Sequence, residues 1–250
     1  MSLEGRIALV TGGGSGIGRA TALRLAEDDD DGVVLDLNLD GARETVARLE
    51  KLGRRGVALR ADVTRSDEVR AALEQAVRAL GPIDVLVNNA GLAWLASFLE
   101  MPEQDWDRML AVHLKGAYNC TRAVLPGMLE RRWGRIVSLS SIAGLGGTGR
   151  SVAYATAKAA LIGFTKSLAR EVAPHGVTVN AVARVHRHPD DLHLARRPPR
   201  SRGRGDPGPP RRHSRRHRPR HRLPRLRGGQ LRHRPGAQPQ RRPLYVGSDV

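Results

Sequence analysis

The chain has 250 residues, a single cysteine (Cys120) and a formal net charge of +17. That length suffices for one sizeable α/β domain, a lone cysteine excludes an internal disulfide and suits a reducing, cytoplasmic setting, and no apolar run reaches the ~20 residues of a membrane span. The charge resembles a nucleic-acid signature, but residues 184–243 hold 20 Arg, no Lys and 3 Asp, so this one segment carries all of the +17 and the body of the chain is neutral.

The apolar run 7–10 predicts a buried strand, and Thr11-Gly12-Gly13-Gly14-Ser15-Gly16-Ile17-Gly18 follows it directly. Ala20, Ala22, Leu23, Leu25 and Ala26 then predict a helix. Strand, glycine turn and helix form the context of a dinucleotide fingerprint. A diphosphate must approach the backbone closely, and the unpaired N–H groups at the positive end of the helix bind it. A second strand is expected at 33–35, ending at Asp36, although acids occupy 28–31, where a glycine turn is expected. A helix at roughly 40–52 and a strand at 57–59, closed by Asp62-Val63, come next. Ser66 reads as the N-cap of a helix carrying Val69, Leu73, Ala76 and Val77, which Gly81-Pro82 ends. A fourth strand, 83–87, runs into Asn88-Asn89-Ala90-Gly91. One long helix is expected over about 103–130, a fifth strand at 135–139, a helix from near Ser151 to about Val172, and a sixth strand at 176–181. Strands alternating with helices predict a doubly wound parallel sheet covered on both faces, with ligands beyond the strand C-termini. The glycine loop, Asp36, Asp62, Asn89 and Ser141 all follow strand ends, so they can converge on one crevice.

Asp36 stands about twenty residues beyond the glycine loop, where a carboxylate can accept from both adenosine ribose hydroxyls and repel a 2′-phosphate. Neither Leu37 nor Asn38 is basic and Ser15 is uncharged, which favours NAD while leaving NADP possible. The alternative is a solvated acid at a strand end. Tyr154 and Lys158 are four residues apart on one predicted helix and share a face. A free phenol titrates near 10, and a nearby ammonium lowers that value enough for acid/base work. Ser141 ends the fifth strand, where its hydroxyl can hold a substrate oxygen. Alone, a Tyr–Lys pair is commonly surface decoration; downstream of a nucleotide site and with Ser141 it is much more specific. No metal site is expected.

These residues resemble the short-chain dehydrogenase/reductase family, classical subfamily, and are similar to 3-oxoacyl-carrier-protein reductases and to sugar or alcohol dehydrogenases. The matching pieces are the loop at 11–18, Asp62-Val63, Asn88-Asn89-Ala90-Gly91, Ser141, Tyr154-Ala-Thr-Ala-Lys158, and Pro174 through Ala181. The resemblance covers 1–183 and implies a Rossmann-type, three-layer α/β/α domain that oxidises or reduces a hydroxyl/carbonyl pair with a nicotinamide cofactor. It implies that Tyr154 moves the hydroxyl proton, that Lys158 binds the nicotinamide ribose and lowers the Tyr154 pKa, and that Ser141 orients the carbonyl. It implies cofactor contacts from Thr11, Gly12, Gly14, Ser15, Gly16, Ile17, Gly18, Asp36, Asp62, Val63, Asn89, Ala90 and Gly91. The family's fourth catalytic residue, an Asn, is replaced by His113, which can still donate and accept in a water relay to Lys158 or can be a structural histidine. Trp94 and Leu95 either line the substrate pocket or belong to the core. The family is commonly tetrameric, so a homodimer or homotetramer is expected.

After Ala183 the family expects Pro-Gly, a stretch covering the cofactor, a substrate lid, a helix and a last strand. The chain instead becomes rich in Arg, Pro, His and Gly, with no aromatic residue from 184 to 243. That composition cannot bury a core. A basic nucleic-acid arm is one reading, but such arms usually mix Lys with Arg. The genetic code supplies another. Shifted by one base, codons for His233-Arg234-Pro235-Gly236 permit Thr-Gly-Gln-Ala, those from Arg222 to Arg232 permit an Ala-Phe-Leu-Ala-Ser-like string ending in Ser-Tyr-Val, and those from Arg184 to Asp191 permit Gly-Phe-Ile-Asp-Thr-Pro-Met-Thr. Leu244-Tyr245-Val246 then resumes the family pattern in frame. The expectation is a compensated frameshift over 184–243, with 244–250 an in-frame remnant. As written, the chain is expected to lack its last strand, to leave a sheet edge unprotected, and to be impaired.

Overall fold

Buried aliphatic runs form a central sheet in the computed structural model, which describes residues 5–184 and the backbone of 245–246. In chain order the elements are β1 (Ile7–Thr11), α1 (Gly16–Glu27), β2 (Asp31–Asp36), α2 (Leu39–Lys51), β3 (Gly56–Arg60), α3 (Ser66–Ala79), β4 (Val85–Asn88) and α4 (Glu103–Leu110). A wide π turn (Ala111–Lys115), α5 (Gly116–Glu130), β5 (Gly134–Ser141), the short α6 (Ala143–Gly146), α7 (Val152–Val172), β6 (Val177–Arg184) and β7 (Tyr245–Val246) follow. The sheet order is β3-β2-β1-β4-β5-β6-β7. β1 to β6 pair in parallel, as the alternation of strands and helices requires. No helix among the described residues is long and apolar enough to cross a membrane.

β1, β2 and β4 are short, apolar and buried on both faces, whereas β5 and β6 alternate between buried and partly exposed positions. On one face Leu9, Leu35, Leu86, Ile136, Val177 and Val179 pack with Val69, Cys120, Val124, Met128 and Ala169 of α3, α5 and α7. On the other, Val10, Val34, Val85 and Val87 pack with Ala22 and Ala26 of α1 and with Ala42, Val46 and Leu49 of α2. Leu49 is fully buried, and truncating such a side chain to alanine costs about 2–5 kcal/mol. Farther along this second face Val137, Leu139 and Val182 line a cavity of about 800 Å³ with Leu25 and Trp133. Trp133 stacks beneath two guanidinium groups there, those of Arg6 at 4.2 Å and Arg135 at 4.4 Å from the ring centroid.

The structure departs from expectation at four joints. Asp29 adopts φ 73, taking the left-handed turn position where glycine was expected, a conformation acids tolerate better than most residues. Arg65, not Ser66, is the N-cap of α3, and it caps with no side-chain bond; Ser66 is the first helical residue. The single helix expected over 103–130 is interrupted by the π turn at 111–115, with His113 buried inside it. The sheet edge expected to be bare is paired over two residues, because Tyr245 and Val246 lie antiparallel against Val182 and Ala181 of β6. The rest of the shifted segment, 185–243, lies outside the described residues, as does most of the in-frame remnant 244–250.

Candidate active site

The site lies beyond the C-terminal ends of β1, β2, β4 and β5, in a cleft of about 750 Å³. Its floor at one end is the glycine loop. Gly12 has φ +63, and a Cβ there would stand 2.9 Å from the Ala90 Cα. A Cβ on Gly18 would overlap the Gly12 carbonyl oxygen, so only glycine lets α1 begin this close to the loop. α1 starts at Gly16 with Ser15 as an N-cap that makes no side-chain bond and with no acid in its first turn. By contrast, the Asn38 side chain of α2 accepts from the N–H groups of Asp40 and Gly41. The start of α1 therefore offers uncapped donors and the positive end of its dipole to the cleft, a cradle that fits a diphosphate.

The loop is braced from behind. The Thr11 hydroxyl accepts from the N–H groups of Asn89 and Ala90, each at 3.0 Å. The Asn89 amide donates to the carbonyls of Thr11 at 2.9 Å and Gly12 at 3.1 Å. Asp36, at the end of β2, accepts from Gly14 N at 2.8 Å and Asn38 N at 2.9 Å. Of the expected cofactor residues, Gly12, Ser15, Gly16, Ile17, Gly18, Asp36, Asp62, Val63, Asn89, Ala90, Gly91, Tyr154 and Lys158 line the cleft. Thr11 and Gly14 stand behind it as braces. Asp62 is held by its turn, since its carboxylate accepts from Thr64 N at 2.9 Å.

At the far end Tyr154 and Lys158 of α7 face the end of β5. Ser141 is fully buried and is hydrogen-bonded to the Tyr154 hydroxyl. Burial pushes the Tyr154 phenol above its usual value, and the Ser141 hydrogen bond and the Arg184 charge oppose that rise. The direction differs from the lowered phenol that the sequence led one to expect. Lys158 donates its ammonium to the Leu139 carbonyl, and its nitrogen sits 5.6 Å from the Tyr154 ring centroid. Burial lowers its own pKa to about 8. The Ser140 hydroxyl donates to the Lys158 carbonyl at 2.8 Å and ties α7 to β5.

His113 is brought into the cleft by the π turn and meets Tyr154 edge to face at 5.5 Å between ring centroids. Its Nε2 lies 2.6 Å from the Leu92 carbonyl oxygen, while Nδ1 is buried without a partner among the described residues. Burial, reinforced by the Lys158 charge, lowers its pKa to about 3. The ring is therefore neutral near pH 7, with Nε2–H donating to Leu92 and Nδ1 left as an acceptor. Trp94 packs with Met109, Ala153, Ala157 and Tyr154 in a small apolar cluster behind the cleft wall, and Leu95 is exposed. Two cleft residues had no signal in the sequence. Arg108 of α4 and Arg184 at the end of β6 both line the cleft. Neither belongs to a motif, and only the tertiary pairing brings them in.

A family model described as short chain dehydrogenase matches residues 6–185. The chain is 44% identical over 180 residues to a 3-oxoacyl-[acyl-carrier-protein] reductase of Staphylococcus aureus, covering 70% of this chain and 72% of that one. It is 41% identical over 183 residues to a (2S)-[(R)-hydroxy(phenyl)methyl]succinyl-CoA dehydrogenase subunit of Thauera aromatica, covering 73% of each. Among solved structures it is similar to an NAD+-bound xylitol dehydrogenase, with a TM-score of 0.69, 36% identity, and coverage of 73% of this chain and 71% of that one. A short-chain alcohol dehydrogenase from Sinorhizobium meliloti matches with a TM-score of 0.71 and 39% identity, covering 73% and 72% of the two chains.

Proposed function

The chain belongs to the short-chain dehydrogenase family, whose members act on CH–OH groups with a nicotinamide cofactor, and within that class we propose that Tyr154 is the acid/base for interconverting a secondary alcohol and a ketone. The observation that carries this reading is that Tyr154 and Lys158 line one end of a cleft whose other end is an uncapped helix start, with the buried Ser141 hydrogen-bonded to Tyr154 just behind the lining. The bound nicotinamide supplies the hydride acceptor or donor. Ser141 holds the substrate oxygen, and Tyr154 takes the hydroxyl proton in oxidation and returns it in reduction. Lys158 fits the nicotinamide ribose, Asp62 and Val63 flank the adenine, and the N–H groups at the start of α1 hold the diphosphate. His113 offers Nδ1 to a water that leads toward Lys158. Asp36 supports NAD over NADP, because a 2′-phosphate beside it meets a fixed carboxylate. A 3-oxoacyl thioester, a sugar and a small alcohol are the candidate substrates, in a cytoplasmic protein whose exposed Tyr118 and Val152 on α5 and α7 suit a homodimer or homotetramer. The test is a fluorescence titration with NADH, followed by turnover of a ketone panel by the parent and by Tyr154→Phe. Undiminished turnover by Tyr154→Phe overturns the assignment.

A second reading, a catalytically impaired dehydrogenase, is favoured by the segment 184–243. Its shifted-frame strings resemble the family's missing end. DNA sequencing across codons 180–245 tests the frameshift, and an unbroken frame with independent support overturns it.

A further inference from the structure

The Tyr154–Ser141 pair has a charged neighbour that the family pattern does not provide. β5 and β6 run in register over eight residues, and Ser141 and Arg184 are the final Cα partners. Partners on adjacent parallel strands project from the same face of the sheet. The strand ends are tied at this point, since Ile142 N donates to the Arg184 carbonyl at 3.1 Å. Arg184 is half-buried and lines the same cleft as Tyr154 and Lys158. Lys158 donates its ammonium to the Leu139 carbonyl and stands 5.6 Å from the Tyr154 ring centroid, and the neutral His113 meets the same ring edge to face.

Resting on the acid/base reading of Tyr154, we propose that Arg184 is a positioning residue that, together with Lys158, sets the ionisation of this tyrosine, reaching its cleft from the partner strand of Ser141. A guanidinium stays protonated at any working pH, and its field is stronger in a partly water-excluded cleft than in bulk solvent. The direction agrees with the chemistry around the phenol: burial disfavours the phenolate, and the Arg184 charge and the Ser141 hydrogen bond restore part of it. In alcohol oxidation the substrate O–H bond breaks, its proton passes to the Tyr154 oxygen, and the hydride leaves the same carbon for the nicotinamide. A cation that stabilises the phenolate raises the fraction of protein ready for that step. Arg184 thus acts through Tyr154. The resemblance expects Pro-Gly after Ala183, so this cation distinguishes the chain as it exists from its relatives.

The test is an ultraviolet difference titration of the tyrosine phenols in the full chain without cofactor, with Tyr154→Phe identifying the Tyr154 transition. Arg184→Gln is expected to raise its midpoint by about half to one pH unit, which is roughly three- to tenfold less phenolate at a fixed pH below the midpoint. Arg184→Lys restores at least half of the change. Arg184→Met keeps an apolar stem without the charge and is expected to match Arg184→Gln, so misfolding of one variant leaves the other to decide. An unmoved midpoint in the neutral variants, or Arg184→Lys behaving like Arg184→Gln, overturns the proposal. The readout needs neither cofactor nor turnover. A moved midpoint in a chain that reduces no ketone upholds the role of Arg184 and counts against the dehydrogenase reading alone.

Discussion

The Asp36 carboxylate accepts a hydrogen bond from the Gly14 N–H at 2.8 Å, so the acid that faces the expected adenosine ribose also holds the glycine loop in place. Cofactor choice and loop geometry therefore share one side chain. Asp36→Ala is expected to weaken NADH binding about tenfold or more and to narrow the gap between NADH and NADPH, while loss of a charged hydrogen bond costs about 1.5–3 kcal/mol of local stability. Paired fluorescence titrations with the two cofactors, with a thermal melt as the companion measurement, check both parts.

Gly18 gives a sharper steric test. A Cβ at this position overlaps the Gly12 carbonyl oxygen, which is backbone and cannot rotate away. Gly18→Ala should therefore displace α1 from the loop, lower stability by about 1–3 kcal/mol and abolish measurable NADH binding. Gly53→Ala, in open space on a turn with φ +77, should lose only the smaller backbone-strain contribution and retain binding.

Asp30 is fully buried, and burial pushes its pKa up to about 6, only partly opposed by the Arg6 backbone N–H. The folded state thus binds its proton more tightly than the unfolded chain does, where the ordinary value is near 4. Its contribution is present below pH 4 and is lost as pH rises through 6. Asp30→Asn should stabilise the protein by roughly 2 kcal/mol at pH 7 and by nothing near pH 4, as read from urea midpoints at the two pH values.

His113 has the opposite sign. Its folded pKa is lowered to about 3, so the unfolded chain takes up the proton first. The native state loses stability as pH falls from about 6.5 toward 3. His113→Asn should flatten that acid slope and leave stability at pH 8 within about 1–2 kcal/mol of the parent, and the Asp30→Asn background separates the two titrations. Because His113 stays neutral across the working range, the pH dependence of turnover should show no inflection that this substitution removes.

Restoring the shifted frame over 184–243 should convert an impaired chain into a working dehydrogenase. A fluorescent apolar dye should bind the written chain and be excluded by the repaired one, because the cavity along Val137, Leu139 and Val182 is apolar. Equal dye binding and equal NADH-dependent turnover by the two forms would contradict this.

Local signals were legible because their physics is local. The glycines at 12, 16 and 18, the four-residue spacing of Tyr154 and Lys158, and the apolar runs of β1 to β6 each declare backbone conformation or a shared face within a few residues. The π turn around His113 was not legible, since the side chains of 103–130 keep a helical period on both sides of it. Asp29 defeated a rule about glycine because an acid can also adopt positive φ. Arg184 reaches the cleft only through the register of β5 on β6, which no spacing within the chain reveals.

The two guanidinium groups on Trp133 have a bearing on handling the protein. Arg6 and Arg135 both stack on the indole at the margin of an otherwise greasy sheet surface. Like charges placed there repel the same surface on another molecule and act as gatekeepers against self-association. Raising ionic strength weakens that repulsion, so concentrated stocks should precipitate first in high salt.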